Sequence, residues 1–362
     1  MKHWKETGEI IERVVGLAAT GRQAAIATVV RIRGSSYRRP GAKFLVEDDG
    51  CTLGGVSGGC LEADVREVAL GVLRTGQARL LHYETGSDEH TVWGLGLGCN
   101  GSVDIFVQPA TEAPEVEFLQ AIQVLLKQDA GPLAVATIVD GPDEVGRTML
   151  VESQGVVTAS MGRSGLDFKV RHLAAECLTS GGSRLTEIEG HLVFIEVLDA
   201  PPRLIVCGAG DDACPLVAYA SEAGFAVTVV DHRAAYLLPT RFPSARLLLN
   251  LRPEDGTVPL GANSQTLVVV KTHSFAHDRD WVRGFLEAGA AYVGLLGPRA
   301  RKDEILRQIG AESTRVFGPV GLDVGADGPE QVAISIVAEL LAVHSDRHGK
   351  HLREKAETIH AV

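Results

Sequence analysis

Two short runs hold the residues with the most distinctive chemistry. The first is Gly54-Gly55-Val56-Ser57-Gly58-Gly59-Cys60-Leu61-Glu62. Its four glycines leave backbone amides uncovered just ahead of an apolar-periodic segment that reads as a helix. Exposed amides and the positive end of a helix dipole attract an anion. A cysteine in the first turn of that helix would have its thiolate favoured. Such a thiolate binds a soft metal, carries sulfur or attacks an electrophile. A tight turn ending in a packed structural cysteine satisfies the same pattern. The second run, Gly94-Leu95-Gly96-Leu97-Gly98-Cys99-Asn100-Gly101, pairs glycines with a thiol again and leads into a strand. Two glycine loops with one thiol each suggest convergence on one pocket. A bulge with a packed cysteine is the plainer alternative.

Arg31, Arg33, Arg38, Arg39 and Lys43 form a basic stretch with no acidic residue inside it, in a chain of net charge −11. Guanidinium forks recognise phosphate bidentately, so an anionic ligand or an acidic partner fits; so does a solvated loop. Further along, Gly208-Ala209-Gly210-Asp211-Asp212-Ala213 follows an apolar run and opens a helix. This is the dinucleotide fingerprint, with Ala in the last glycine position. Asp231 and Arg233 stand where the ribose-contacting residues of such a fold are found. Asp211 and Asp212 place negative charge where a pyrophosphate would lie, which weakens the case for a nucleotide. Lys271-Thr272-His273 sits at the end of a later strand, where open α/β sheets bind ligands and where His273 is available as a ligand or acid–base group.

The elements that must position these residues follow from apolar periodicity. Helices are expected over Trp4–Ala19 and Leu61–Leu73. Strands are expected over Ala24–Arg31, Lys43–Glu47, Arg79–Tyr83 and Val103–Gln108. The pattern then recurs: at an offset of 105, Leu45-Val46-Glu47 matches Leu150-Val151-Glu152, and Arg79-Leu80 matches Arg184-Leu185. Leu133–Val139 likewise resembles Ala24–Val30. The second copy lacks the glycine–cysteine chemistry, having Ala159-Ser160-Met161-Gly162-Arg163-Ser164-Gly165 where the first has Gly54 to Cys60, and reads as a scaffold. After Asp199-Ala200-Pro201-Pro202 come alternating strands and helices from Arg203–Cys207 to a final helix over Val332–Val343. Alternation of this kind means a parallel sheet. The expected fold is α/β. An N-terminal αβ region (1–110) is followed by a degenerate copy (111–199), a Rossmann-like doubly wound domain (200–345) and a charged tail (346–362).

Composition narrows the function classes. A chain of 362 residues, 45% hydrophobic and 22% charged, is globular. Its acidity argues against nucleic acid. It lacks the run of about 18 apolar residues that a membrane helix needs. With no signal-type N-terminus and six cysteines outside any CxxC pattern, reduced thiols and the cytoplasm are expected.

Several stretches resemble the xanthine dehydrogenase accessory factor (XdhC/CoxI) family. They are GSSYRRPGAKFLV (34–46), GGVSGGCLE (54–62), GLGLGCNG (94–101), LIVCGAG (204–210), VVVKTHSFAHDRDW (268–281) and GPVGLDVGADGPEQVAISIVAEL (318–340). The resemblance implies a chaperone that binds molybdenum cofactor (molybdopterin) and delivers it to a molybdenum hydroxylase such as xanthine dehydrogenase. It also implies cooperation with a cysteine desulfurase that supplies a terminal sulfur. Carried over by residue, Cys60 is the first candidate for contact with molybdenum or its sulfur and Cys99 the second. Gly55, Ser57, Gly58, Gly59, Arg38, Arg39, Lys43 and Gly98 are expected around the cofactor. Gly208, Gly210, Asp231, Arg233 and His273 are expected at the Rossmann site, with NAD(P) or another nucleotide as its ligand. The chain departs from the family at Asp211, where His is common, and at Gly297-Pro298. An NAD(P)-dependent oxidoreductase and a pure interaction adaptor are the alternative readings; a homodimer is compatible with all three.

Overall fold

The computed structural model describes residues 4–34, 38–84, 101–128, 131–153, 155 and 157–354. They form two compact units, Met1–Ala200 and Pro201–Val362. Among the described residues no helix is long and apolar enough to cross a membrane.

The first unit is built twice from one plan. Helix α1 (Trp4–Ala19) leads into β1 (Ala24–Gly34), β2 (Lys43–Glu47), β3 (Thr52–Gly54), α2 (Glu62–Thr75), β4 (Arg79–Glu84) and β5 (Gly101–Pro109). Then α3 (Ala113–Gln128) leads into β6 (Leu133–Asp140), β7 (Thr148–Glu152), β8 (Val157–Thr158), α4 (Ser164–Ser180), β9 (Arg184–Ile188) and β10 (His191–Leu198). The antiparallel sheets have orders β3-β2-β1-β5-β4 and β8-β7-β6-β10-β9, the same order strand for strand. The internal similarity seen in the sequence is thus a repeated fold.

Period-two alternation decides which side chains face where. Ala25, Ala27 and Val29 of β1 face α2 and share its core with Val65, Ala69 and Val72. Ala134, Ala136 and Ile138 of β6 do the same beneath α4. The opposite faces meet through Val30, Phe106, Val139 and Phe194. Helices α1 and α3 close the flank with Ile11, Phe118 and Ile122. Each buried Val, Ile or Phe among these contributes about 1.5–3 kcal/mol. The copies differ most between their last two strands. The second copy turns through Glu189 (φ 53°) and Gly190 (φ 79°), the left-handed pair of a tight hairpin. The first copy inserts residues 85–100, which include Gly98 and Cys99 and lie outside the described residues.

The second unit is a parallel sheet of order β13-β12-β11-β14-β15-β16, with β11 (Arg203–Cys207), β12 (Ala226–Asp231), β13 (Leu247–Asn250), β14 (Leu267–Val270), β15 (Tyr292–Leu295) and β16 (Val316–Phe317). Strands such as Leu-Val-Val-Val are buried on both faces, which is why they read as continuous apolar runs. Helices α5 (Ala213–Glu222) and α8 (Pro329–His344) pack together, as do α6 (Phe275–Glu287) and α7 (Arg299–Ile309). The order reverses between β11 and β14, and that switch point is where a doubly wound sheet takes its ligand.

Candidate functional site

The Cys60 loop begins where β3 ends. Gly54 has φ 81°, and a Cβ there would lie 2.5 Å from the Lys43 carbonyl, so only glycine lets the chain turn off the sheet at this point. Val56 plugs into the core below. The loop amides are then taken up from within. Glu62 Oε1 accepts from the amides of Val56 (3.1 Å) and Ser57 (2.8 Å). Ser57 Oγ donates to Glu62 Oε2 and accepts from the amides of Gly59 (3.2 Å), Cys60 (3.1 Å) and Leu61 (3.1 Å). Burial works against the Glu62 charge, but the Ser57 hydroxyl and these amides outweigh it and hold the carboxyl below its usual range.

Two sequence expectations are corrected here. Cys60 does not stand in the first helical turn, because Leu61 is the N-cap and α2 starts at Glu62. Nor are the amides bare, because the chain's own Glu62 occupies the anion position. The second copy shows that this is architecture. Ser160 Oγ and the Met161 amide bond to Asp167, each at 2.7 Å, and the Gly162 amide bonds to Ser160 Oγ at 3.0 Å. What the first copy alone possesses is an exposed Gly58-Gly59 followed by a half-buried Cys60. A Cβ on Gly59 would meet nothing within 4 Å, so the loop surface beside the thiol is open.

Cys60, Ile32 and Tyr83 are each partly buried against the core beneath α2. Tyr83 Oη donates to Asp64 Oδ2 at 2.5 Å, in the first turn of α2. Gly34 of β1 pairs with Gly101, and Glu84 with Ser102. The chain therefore enters and leaves the 85–100 connection at the sheet end that carries Cys60.

The basic stretch is largely neutralised by acids far away in sequence. Arg31 Nη2 lies 2.5 Å from Asp104 Oδ2, and the buried Asp104 also takes His82 Nδ1 at 2.5 Å. Arg38 pairs with Glu6 and donates from Nε to the Gly55 carbonyl at 2.8 Å. Lys43 turns inward: its Nζ lies 2.5 and 2.7 Å from the two oxygens of Glu196 in β10. Lys43 is therefore an ion-pair partner inside the unit and does not reach the loop as expected. Arg33 is exposed and Arg39 half-buried. The sequence reading missed Glu62, Asp104, His82 and Glu196, whose signal is visible only once distant strands are paired.

At the switch point of the second unit, Gly208 (φ 118°) abuts β14, and a Cβ there would lie 2.5 Å from the Lys271 carbonyl. Backbone packing alone thus demands this glycine. Asp231 accepts from the Ala209 amide (2.8 Å), the Arg233 amide (2.8 Å) and the Arg233 guanidinium (2.9 and 3.0 Å). Its carboxyl is held down at about 2: burial opposes this, and the Arg233 and Ala209 donors override it. Asp212 lies 2.5 Å from Lys271 Nζ and 3.3 Å from His273 Nε2. Burial lowers the Lys271 pKa. His273 sits at φ 60°, left-handed for a non-glycine residue, with its ring exposed. Asp211 pairs with Arg241 at 2.7 Å. Each acid at this edge therefore has a cation of its own, so the negative charge read from Asp211-Asp212 is offset locally.

The profile of the XdhC Rossmann domain matches residues 204–340, and that of the XdhC and CoxI family matches 17–84 and 126–189. The chain belongs to the XdhC and CoxI family. The second profile matches part of each copy of the repeat. Relatives include a probable xanthine dehydrogenase subunit of Bacillus subtilis, 31% identical over 323 residues that span 88% of this chain and 92% of that one. The molybdenum cofactor insertion chaperone PaoD of Escherichia coli is 24% identical over 342 residues, 92% and 87% of the two chains. A crystal structure described as a xanthine dehydrogenase of Bacillus halodurans superposes with a TM-score of 0.78 at 29% identity, covering 94% of this chain and 96% of that one. Among the described residues no group of three or more His, Cys, Asp or Glu side chains could hold a metal ion.

Proposed function

We propose that the protein is a molybdenum cofactor chaperone, holding the cofactor as cargo at the Cys60 loop for insertion into a hydroxylase of the xanthine dehydrogenase type. The observation that carries this reading is the asymmetry between the copies. The capping framework is shared, and the first copy adds an open Gly58-Gly59 surface with an accessible thiol. A soft thiol suits molybdenum and its sulfur ligands. The dithiolene sulfurs of the cofactor would hold the metal, and Cys60 would supply at most one protein ligand. Gly55 and Ser57 shape the loop, Gly58 and Gly59 leave room above it, and Arg38 and Arg39 flank it for the phosphate. Gly98 and Cys99 lie outside the described residues; on this reading Cys99, in the second glycine–cysteine run, would be the second thiol. Sulfur from a cysteine desulfurase would arrive at the accessible Cys60 thiol. Free cysteines throughout the described residues suit a reducing compartment such as the cytoplasm.

A nicotinamide nucleotide on Gly208, Gly210, Asp231, Arg233 and His273 is the alternative. The geometry disfavours it. Asp231 spends its oxygens on Ala209 and Arg233, and a pyrophosphate would have to displace Asp212 from Lys271.

The test is to purify the protein after expression alongside the cofactor pathway and to quantify molybdopterin by its fluorescent oxidation product. Wild type is expected to retain it and Cys60→Ala to lose it at unchanged melting temperature. Equal retention by the variant overturns the role of Cys60; no retention by wild type overturns the chaperone reading.

A further inference from the structure

The two copies enclose a cavity of about 70 Å³ between their sheets, lined by residues of both. Equivalent positions treat its two ends differently. At one end Lys43 of β2 meets Glu196 of β10. The repeat-related positions at the other end are Thr148 of β7 and Gln108 of β5. Lys43 pairs with Thr28 as Thr148 pairs with Thr137, and Gln108 pairs with Ile26 as Glu196 pairs with Val135. A threonine and an amide replace the ion pair, and Gln108 Oε1 is buried without a hydrogen-bond partner.

The helices repeat the same inequality. Glu115 of α3 lines the cavity with Phe118 and Leu119, and the same spacing in α1 gives Thr7, Ile10 and Ile11, so Thr7 stands where Glu115 does: a hydroxyl at one end and a carboxyl at the other. Glu115 Oε2 is buried with no hydrogen-bond partner, as is Thr7 Oγ1 across the cavity. Arg147, close by, is engaged by Glu144 at 2.5 Å. Three buried oxygens without partners thus line one cavity, and buried oxygens without partners are costly.

We infer that this unsealed end is a binding site for a small molecule with a guanidine-type donor edge, whose N–H groups take the place that the Lys43 cation fills at the sealed end. Size agrees. At about 30 Å³ per water the cavity holds about two, the room that a small guanidine head needs. An open groove of about 560 Å³ shares Gln108, Glu115, Phe118 and Thr148 with it and can take the rest of the molecule. The groove is also lined by Gly76 at the C-cap of α2, whereas Cys60 precedes its N-cap. A helix of this length spans about 21 Å, so this site is separate from the thiol loop and does not depend on the chaperone reading.

Three probes share the donor edge: agmatine (an alkyl guanidinium), guanosine and pterin. Each is titrated into the purified full chain by calorimetry. At least one is expected to bind one to one, and the tightest identifies the source of the edge. Glu115→Gln should weaken it by about ten-fold or more, the worth of a charge-assisted hydrogen bond. Gln108→Glu with Thr148→Lys should rebuild the ion pair of the other end, raise the melting temperature and abolish binding. Failure of all three probes to bind wild type overturns the inference, as does binding that persists in the rebuilt pair.

Discussion

The two halves of the first unit share one strand order, one helix placement and one Ser–acid cap, yet only one half carries a thiol on its capped loop. Ser57 with Glu62 and Ser160 with Asp167 both tie their loops to the following helix, the first taking up five loop amides and the second two. What recurs in both is what the fold requires. What differs is concentrated in Gly58–Cys60, in residues 85–100 and at the two ends of the shared cavity. A repeat in which one copy has lost its chemistry thus acts as an internal control. It removes Glu62 from the candidate ligand-binding groups and leaves Cys60 among them.

The largest effect is expected where the copies join. Lys43→Met should leave Glu196 charged and buried without its partner, costing about 3–5 kcal/mol in chemical denaturation. A small loss would mean that the sheets are held together mainly by Val30, Phe106, Val139 and Phe194.

Acid should separate the two units next. Asp231 has a folded pKa of about 2 against 3.8 unfolded, so its stabilising contribution is present above pH 3.8 and is lost as pH falls toward 2. The shift corresponds to about 2 kcal/mol for a nearly inaccessible carboxylate. Asp231→Asn should remove that part of the acid sensitivity of the second unit, as followed by circular dichroism, and leave the first unit's transition where it was.

Smaller, and diagnostic of the shared cap, Glu62→Ala and Asp167→Ala should each cost about 1–2 kcal/mol in thermal unfolding. Similar losses in both copies sharpen the comparison. A much larger loss from Glu62→Ala would mean that this acid does more than cap. Smallest of all, replacing residues 85–100 by a two-residue Asn-Gly turn, like that of the second copy, should change stability by less than about 1 kcal/mol. Cofactor retention should fall sharply in the same variant.

Local pattern made much of this fold legible. The expected helix Trp4–Ala19 and strands Lys43–Glu47, Arg203–Cys207 and Tyr292–Leu295 coincide with the observed elements, because apolar periodicity and turn residues agree there. The internal offset pointed to the repeat for the same reason. The site was less legible. Glycines advertise exposed amides, but the acceptor that consumes them, Glu62, is the first residue of the following helix, where a carboxylate is commonplace and carries no signal of its own. The basic stretch looked unopposed because Glu6, Asp104 and Glu196 come from other elements, as far as 153 residues away. Long-range pairing of this kind is fixed by sheet register, which no local window contains.

Transplantation between the copies tests the central claim most directly. In one variant Gly58-Gly59-Cys60 is replaced by the Arg163-Ser164-Gly165 of the second copy, with Ser57 and Glu62 kept, and bound molybdopterin is measured by mass spectrometry. Wild-type stability with no retained cofactor is the predicted result. Full retention on the transplanted loop would contradict the account.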